Sequence, residues 1–371
     1  IVSNGYADGP SQALREYFCA SRLEVTTIIH PLVPEANHGH IIEKFEHNKS
    51  VSTRRVRLPH LPPLTYLVDL FIPLIPQKCS LWVGFNNLAV LKGIFLRRIG
   101  RVEKVVYWAV DFVPDRFGKS LATRAYNLVD KFVCRNADYR VELSKVGVTG
   151  RNRYLRLDKN NIAPTQVVPM GAWLDRTPKT TTKAWSKKTI VYLGHLVERQ
   201  GVATLIKAIK ELKDCAIEIN AEIIGTGPLY NQLIELSKDL GVSNQIKFHG
   251  FVNEHKIVES ILASGFLAAA PYTKKDTNFV QFSDAGKLKA YLGAGLPIIL
   301  TDVPNNAKEL ERQGAAFIVD DTPKSMADSI EQLLLDRDKW LKARESANSV
   351  AKQFDWDELL SNFLKNIDFK L

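Results

Sequence analysis

Two textures alternate through the second half of the chain. Short apolar, β-branched runs at 189–193, 217–224, 245–248, 266–270, 297–301 and 315–319 have the length of buried strands. Between them, apolar positions recur at helical spacing over 202–213, 229–240, 254–263, 287–294 and 304–313. Glycines mark the joins at Gly194, Gly225, Gly227, Gly250 and Gly295. This alternation predicts a doubly wound parallel sheet, a fold that takes ligands beyond the carboxyl ends of its strands. The first half repeats the theme less regularly, with strands expected at 24–30, 80–84 and 104–110 and helices at 11–20, 88–98 and 121–135. Residues 31–63 are polar, histidine-rich and bounded by prolines, so a long loop with one strand at 51–58 is expected there. Residues 171–188, rich in Thr, Lys and Pro and without period, are expected to be a linker. Three more helical stretches follow Pro323, the last at 356–367.

At 371 residues the chain exceeds one ordinary core. The expected division is 1–170 together with the terminal helix 355–371, and 171–354. The net charge of +10 favours anionic partners such as nucleotides, anionic head groups or acidic glycans. With neither zinc-finger spacing nor a ribonucleoprotein-type aromatic motif, nucleic acid is not expected. The four cysteines form no CxxC pair and read as reduced core thiols of a cytoplasmic protein. The sequence as given opens without a leader-like segment. Its most apolar run, 64–76, is interrupted by Asp69 and Pro73 and is too short to span a bilayer. It reads as a buried helix, with an interfacial patch as the alternative. His38 and His40, one residue apart in a polar stretch, read as solvated side chains, and no metal or other cofactor is expected.

Several fragments, taken in order, resemble the retaining glycosyltransferases of family four (glycosyltransferase group 1). Ala137-Asp138 with Ser144, and then Val168-Pro169-Met170-Gly171, are similar to elements before and at that family's domain junction. The run from Ile190 to Gly201 resembles the opening of its donor domain, Ile224-Gly225-Thr226-Gly227-Pro228 its GxGP turn, and Lys247 to Phe251 its V-x-F-x-G strand. Lys289 to Pro297 resembles its E-x-x-x-x-G-x-P element, and Phe354-Asp355-Trp356 its entry to a last helix that crosses back onto the first domain. The resemblance implies a GT-B fold: two Rossmann-like domains facing a central cleft, acceptor on the first and nucleotide sugar on the second. It also implies transfer with retention and without a metal.

The family stabilises the leaving diphosphate with an arginine, a lysine and a helix N-terminus, while two glutamates hold the sugar and the ribose. Here those four positions are His195, Gln200, Phe282 and Ala290. Replacements lie close by in sequence. Arg199 adjoins the lost lysine, and Ser283-Asp284-Ala285-Gly286-Lys287 is a small-residue turn opening onto a helix that could cradle phosphate. The expected donor-binding set is therefore Gly194, His195, Gln200, Gly225, Gly227, Phe251, Ser283, Asp284, Gly286 and Leu288. Asp284 reads either as a hydroxyl ligand or as an N-cap. Lys287, Arg199 and Asp111 are the catalytic candidates, Asp111 lying in a strand-end segment where the family often has a His-Asp pair. For the acceptor, Gly5, Asp8 and Gly9 form a glycine-rich turn, and Arg116 either binds an anion or pairs with Asp115. The leading reading is a transferase of bacterial-type surface glycan or glycolipid assembly, with a glycan or lipid-linked acceptor at the cytoplasmic face of a membrane. The four altered positions support a rival, a non-catalytic subunit of the same fold that binds a glycan or a partner transferase. Nothing in the residues specifically favours an isomerase or phosphorylase.

Overall fold

The computed structural model describes residues 1–4, 9–31, 39–47, 49–57, 69–73, 77–274, 282 and 284–369. The chain forms two compact units, one of Ile1–Pro169 with Asp357–Leu371 and one of Met170–Trp356.

The first unit is built on an eight-stranded sheet. Its strands are β1 (Val2–Asn4), β2 (Val25–His30), β3 (His40–Glu46), β4 (Lys49–Val56), β5 (Cys79–Gly84), β6 (Val102–Ala109), β7 (Tyr139–Glu142) and β8 (Thr165–Val167). They lie in the order β4-β3-β2-β1-β5-β6-β7-β8, parallel from β2 to β8, with β3 and β4 added as an antiparallel hairpin. Helices α1 (Pro10–Ala20), α2 (Asn87–Arg98), α3 (Leu121–Asn136) and α4 (Lys145–Tyr154) accompany it. The strand expected at 51–58 is β4, and β3 takes up part of the loop expected before it. Both faces of β4 are exposed, so this edge strand carries no apolar alternation, and Arg54 and Arg55 put charge on it. Of the apolar run 64–76, the stretch 69–73 is described: Asp69 and Ile72 are buried and Phe71 is exposed. Among the described residues no helix is long and apolar enough to cross a membrane.

The second unit has the predicted alternation. Its helices are α5 (Ala184–Lys187), α6 (Val202–Asp214), α7 (Tyr230–Asp239), α8 (His255–Ser264), α9 (Gly286–Gly293), α10 (Ala307–Arg312), α11 (Pro323–Leu335) and α12 (Arg337–Ala351). Strands β9 (Thr189–Leu193), β10 (Asn220–Ile224), β11 (Ile246–Gly250), β12 (Leu267–Ala270), β13 (Ile298–Thr301) and β14 (Ala316–Val319) form one parallel sheet in the order β11-β10-β9-β12-β13-β14. Burial on both faces explains the unbroken apolar runs: every residue of β12 and β13 is buried. Helix α6 turns Val202, Leu205, Ile206, Ala208, Ile209 and Leu212 into the core, the stripe its spacing predicts. The strand expected from 217 starts later because residues 215–217 close the end of α6, the Ile217 N–H donating to Leu212 O at 2.9 Å. The chain order reverses at β9, with β10 on one side and β12 on the other, so a switch-point crevice opens beyond Leu193.

Residues 171–188, expected to be a linker, are largely exposed but anchored at the buried Thr177, Thr180 and Ala184. Thr180 is fully buried, its hydroxyl donating to Gly265 O at 2.9 Å and its N–H to Ala294 O at 2.8 Å. Ala172 pairs with Asp355 in an isolated bridge, setting the two chain crossings side by side. Beyond the second crossing α13 (Trp356–Asn366) brings Phe363 edge-on to Trp108, centroids 4.9 Å apart. The cysteines are free; Cys19 and Cys134 are buried, but Cys215 is exposed and so is not the core thiol expected.

Candidate active site

The carboxyl edge of the second sheet is built by close backbone approach. Gly194 and Gly225 adopt φ of +147° and +137°, and a Cβ on Gly225 would lie 1.9 Å from Gly194 O. A Cβ on Gly227 would come 2.5 Å from Leu196 O, and one on Gly201 1.6 Å from Pro271 O. Only glycine lets these turns interleave. The loops after β9, β10 and β12 are thereby locked together, with the Thr273 N–H donating to Arg199 O at 3.1 Å.

Lys287 enters this crevice from the first turn of α9. Its Nζ lies 2.5 Å from Gln200 Oε1 and 3.2 Å from Tyr192 Oη, over the rings of Tyr192 (4.3 Å) and Tyr272 (5.0 Å). A Cβ on Gly194 would meet the same ammonium at 2.7 Å. Burial pushes the Lys287 pKa down to about 7, and no carboxylate offsets it among the described residues. The residue as a whole is half-buried. Burial also raises the phenols of Tyr192, Tyr272 and Tyr291, so all three remain protonated. Among the described residues no side chain caps α9, whose N-cap is Ala285. A helix start without a side-chain cap, beside a cation without a carboxylate partner among the described residues, suits an anion.

The expected residues divide around this centre. Gly194, Gln200, Gly225, Gly227, Gly286 and Lys287 build it or border it. His195 is exposed at its rim, and Arg199 is half-buried in the adjoining turn. Asp284 is neither N-cap nor open ligand. One oxygen pairs with Lys289, and the other accepts the Met170 N–H at 2.8 Å, in a site where both charged side chains are at most 5% exposed. Leu288 is turned fully into the core, and its N–H is taken by Ala285 O, so it is not placed to meet a ligand. Phe251 stands exposed after the edge strand β11, two strands from β9. Ser283 lies outside the described residues. Sequence reasoning overlooked Tyr192 and Tyr272; each ends an apolar run one or two residues before a turn, where a lone hydroxyl-bearing ring was the available signal.

In the first unit, Arg116 pairs with Asp111 rather than with Asp115, which instead accepts the Tyr154 hydroxyl at 2.8 Å. The Asp111 backbone is held from below: its carbonyl accepts from Arg151 Nη2 at 2.7 Å. Arg151 is buried against Asp130 and Glu142. Gly9 is the extended N-cap of α1, with φ of −172°, a conformation open to any residue. Gly5 and Asp8 lie outside the described residues, as does His38. His40 is not solvated as expected; it is buried, its Nδ1 2.9 Å from that of His30.

Residues 175–354 match the family Glycosyl transferases group 1. Over 220 residues the chain is 26% identical to a GDP-mannose-dependent alpha-(1-6)-phosphatidylinositol monomannoside mannosyltransferase of Mycobacterium tuberculosis. That alignment covers 56% of this chain and 57% of the relative, so the match spans little more than half of either. A 2-deoxystreptamine N-acetyl-D-glucosaminyltransferase of Niallia circulans is 30% identical over 121 residues, 33% of this chain and 29% of that protein. Among solved structures, sucrose-phosphate synthase from Thermosynechococcus elongatus superposes with a TM-score of 0.69 at 14% identity, covering 98% of this chain and 97% of that one. Anabaena HepE in complex with UDP gives 0.69 at 16% identity, covering 99% and 98%. At such identities these likenesses establish the fold, which is GT-B.

Proposed function

We propose, for a chain whose residues 175–354 form a glycosyl transferases group 1 domain on a GT-B fold, that it transfers a hexosyl group from a nucleotide sugar to a glycan or lipid-linked acceptor. The observation that carries this reading is the Lys287 ammonium beside the start of α9, which among the described residues has neither a carboxylate partner nor a side-chain cap. In such a transfer the anomeric carbon leaves the donor phosphate oxygen and bonds to the acceptor oxygen, while charge grows on the departing diphosphate. Lys287 Nζ and the first N–H groups of α9 would stabilise that charge without a metal. The family's lysine position is Gln200 here, and Lys287 reaches Gln200 Oε1 from another helix. The cation is thus supplied from α9 instead of from the loop after β9. With retention, the leaving phosphate would itself take the acceptor proton, and a phosphate held by Lys287 suits that task.

A lipid-borne acceptor is favoured by the net charge of +10 and by the phosphatidylinositol mannoside acceptors in the names of the mannosyltransferase relatives. The test is to incubate the chain with GDP-mannose, UDP-glucose and UDP-N-acetylglucosamine and a panel of glycolipid acceptors. Product appearance and anomeric configuration are read by mass spectrometry and NMR. A product with inverted configuration would overturn the retaining assignment. Binding of a nucleoside diphosphate without turnover of any nucleotide sugar would favour the second reading, a non-catalytic glycan- or partner-binding subunit. Phe282 and Ala290 support that reading, because neither side chain can hydrogen-bond a sugar hydroxyl.

A further inference from the structure

We propose that His30, His40 and Asp69 form a three-ligand site for a divalent cation of the zinc class at the carboxyl edge of the first sheet. His30 ends β2 and His40 begins β3, and the antiparallel pairing of these strands sets the two histidines side by side at that edge. Asp69 comes from a separate stretch of chain. All three residues are buried, at 2%, 1% and 6% exposure. Their ligand atoms converge: His30 Nδ1 and His40 Nδ1 are 2.9 Å apart, and Asp69 Oδ1 lies 3.4 Å from the first and 3.5 Å from the second.

A triangle of that size fits a cation. Metal–nitrogen and metal–oxygen bonds of about 2.0–2.1 Å to all three atoms place the ion just off the plane of the ligands, with ligand–metal–ligand angles of roughly 90–115°. Two imidazole nitrogens and one carboxylate form a ligand set characteristic of zinc and its first-row neighbours, with at least one further position left open.

A second observation points the same way. Among the described residues, Asp69 Oδ1 is buried and accepts no hydrogen bond. One proton between the two Nδ1 atoms satisfies the histidines with each other and leaves this oxygen facing them unpaired, a costly state for a buried carboxylate atom. A cation bound by all three atoms removes the deficit.

Neighbouring side chains hold the ligands in place. Asn4 Nδ2 donates to the other carboxylate oxygen, Asp69 Oδ2, at 3.4 Å, and Asn86 Nδ2 donates to Asn4 Oδ1. Asn4 is paired with His30 across β1 and β2, so the same backbone register fixes ligand and support. Lys92 lies near enough to interact with Asp69 and donates to Pro73 O at 2.8 Å. A bound ion would tie the β2–β3 hairpin to the chain around Asp69, a cross-link within the first unit and independent of the donor chemistry at Lys287.

The experiment uses the full chain, stripped with a chelator, desalted and titrated with Zn²⁺ against a chromophoric competitor, then separately with Co²⁺ under visible absorption. One equivalent should bind, with cobalt d–d bands and no thiolate charge-transfer band, and zinc should raise the melting temperature. His40→Ala and Asp69→Asn should each weaken binding by about tenfold or more and abolish the thermal shift. Asp69→Asn keeps the side-chain volume, and its far-ultraviolet circular dichroism checks the fold if His40→Ala does not fold. Lack of stoichiometric binding by the wild-type chain, a thiolate band reporting cysteine ligation, or unchanged affinity in a folded Asp69→Asn variant would each overturn the proposal.

Discussion

Replacing Lys287 by Met removes one ammonium and keeps most of the stem that fills the crevice between Tyr192 and Tyr272. In the free protein that ammonium is held by Gln200 Oε1 at 2.5 Å and by the faces of two tyrosines, with burial lowering its pKa from 10.5 to about 7. A diphosphate beside it restores the missing opposite charge and should return the pKa toward its ordinary value. Binding at pH 8 should therefore take up about 0.9 of a proton, since about a tenth of the free-state lysines are charged there. Above pH 7 the dissociation constant should rise about tenfold per pH unit as the free protein loses that proton. Losing the charged hydrogen bond should cost Lys287→Met about 1.5–3 kcal/mol of binding, or roughly 10- to 150-fold in Kd at pH 7. Calorimetric titration with GDP and with UDP, in two buffers of different ionisation enthalpy, measures both quantities. Stability should respond in the opposite sense. Between pH 7 and 10.5 the unfolded chain holds the lysine proton that the folded chain has lost, so wild-type stability rises with pH through that window. The slope is at most about 1.4 kcal/mol per pH unit, and less because the side chain is partly exposed to solvent. Lys287→Met should lose this slope and fold at least as stably as wild type at pH 6. If a bound nucleoside diphosphate takes up no proton, and Lys287→Met binds it as well as wild type does, Lys287 does not hold phosphate and the donor-site argument fails.

Other substitutions test the scaffold around that lysine. Gly225→Ala places a methyl 1.9 Å from Gly194 O at a φ of +137°. It should cost about 2 kcal/mol or more by urea denaturation and weaken nucleotide binding. Asp284→Asn leaves the Lys289 ammonium buried without its partner and should cost about 3–5 kcal/mol. The double variant Asp284→Asn with Lys289→Met should recover a large share of that loss, and equal stability of the single and double variants would contradict the pairing. Arg116→Ala breaks a partly exposed pair with Asp111, so stability should change by less than about 1 kcal/mol. If this edge of the first sheet recognises an anionic acceptor, its KM should rise while the KM for the nucleotide sugar stays fixed.

The periodicities of the second unit were readable because they are local. A strand buried on both faces shows as an apolar run, a helix lying on it shows as an apolar stripe, and glycines appear where strands turn back. From those signals the six strands β9–β14 and the helices between them could be placed to within a few residues. Of the β3–β4 hairpin, β4 answers the strand expected at 51–58, whereas β3 was not readable, since only its first residue is buried and no buried alternation betrays it. The anchoring of 171–188 was hidden because Thr180 is held by hydrogen bonds to Gly265 and Ala294, partners remote in sequence. The sequence marked the glycine turns and Lys287 as candidate phosphate ligands, and it showed that four positions expected to be functional were occupied by His195, Gln200, Phe282 and Ala290. It could not show that Lys287 reaches Gln200, because that meeting depends on strand order bringing α9 to the end of β9. Nor could it show His30, His40 and Asp69 converging, or Asp284 committed to Lys289. Backbone periodicity is set by near neighbours along the chain, whereas a side chain's partner and charge state are set by whichever groups the tertiary fold delivers to within a few ångströms.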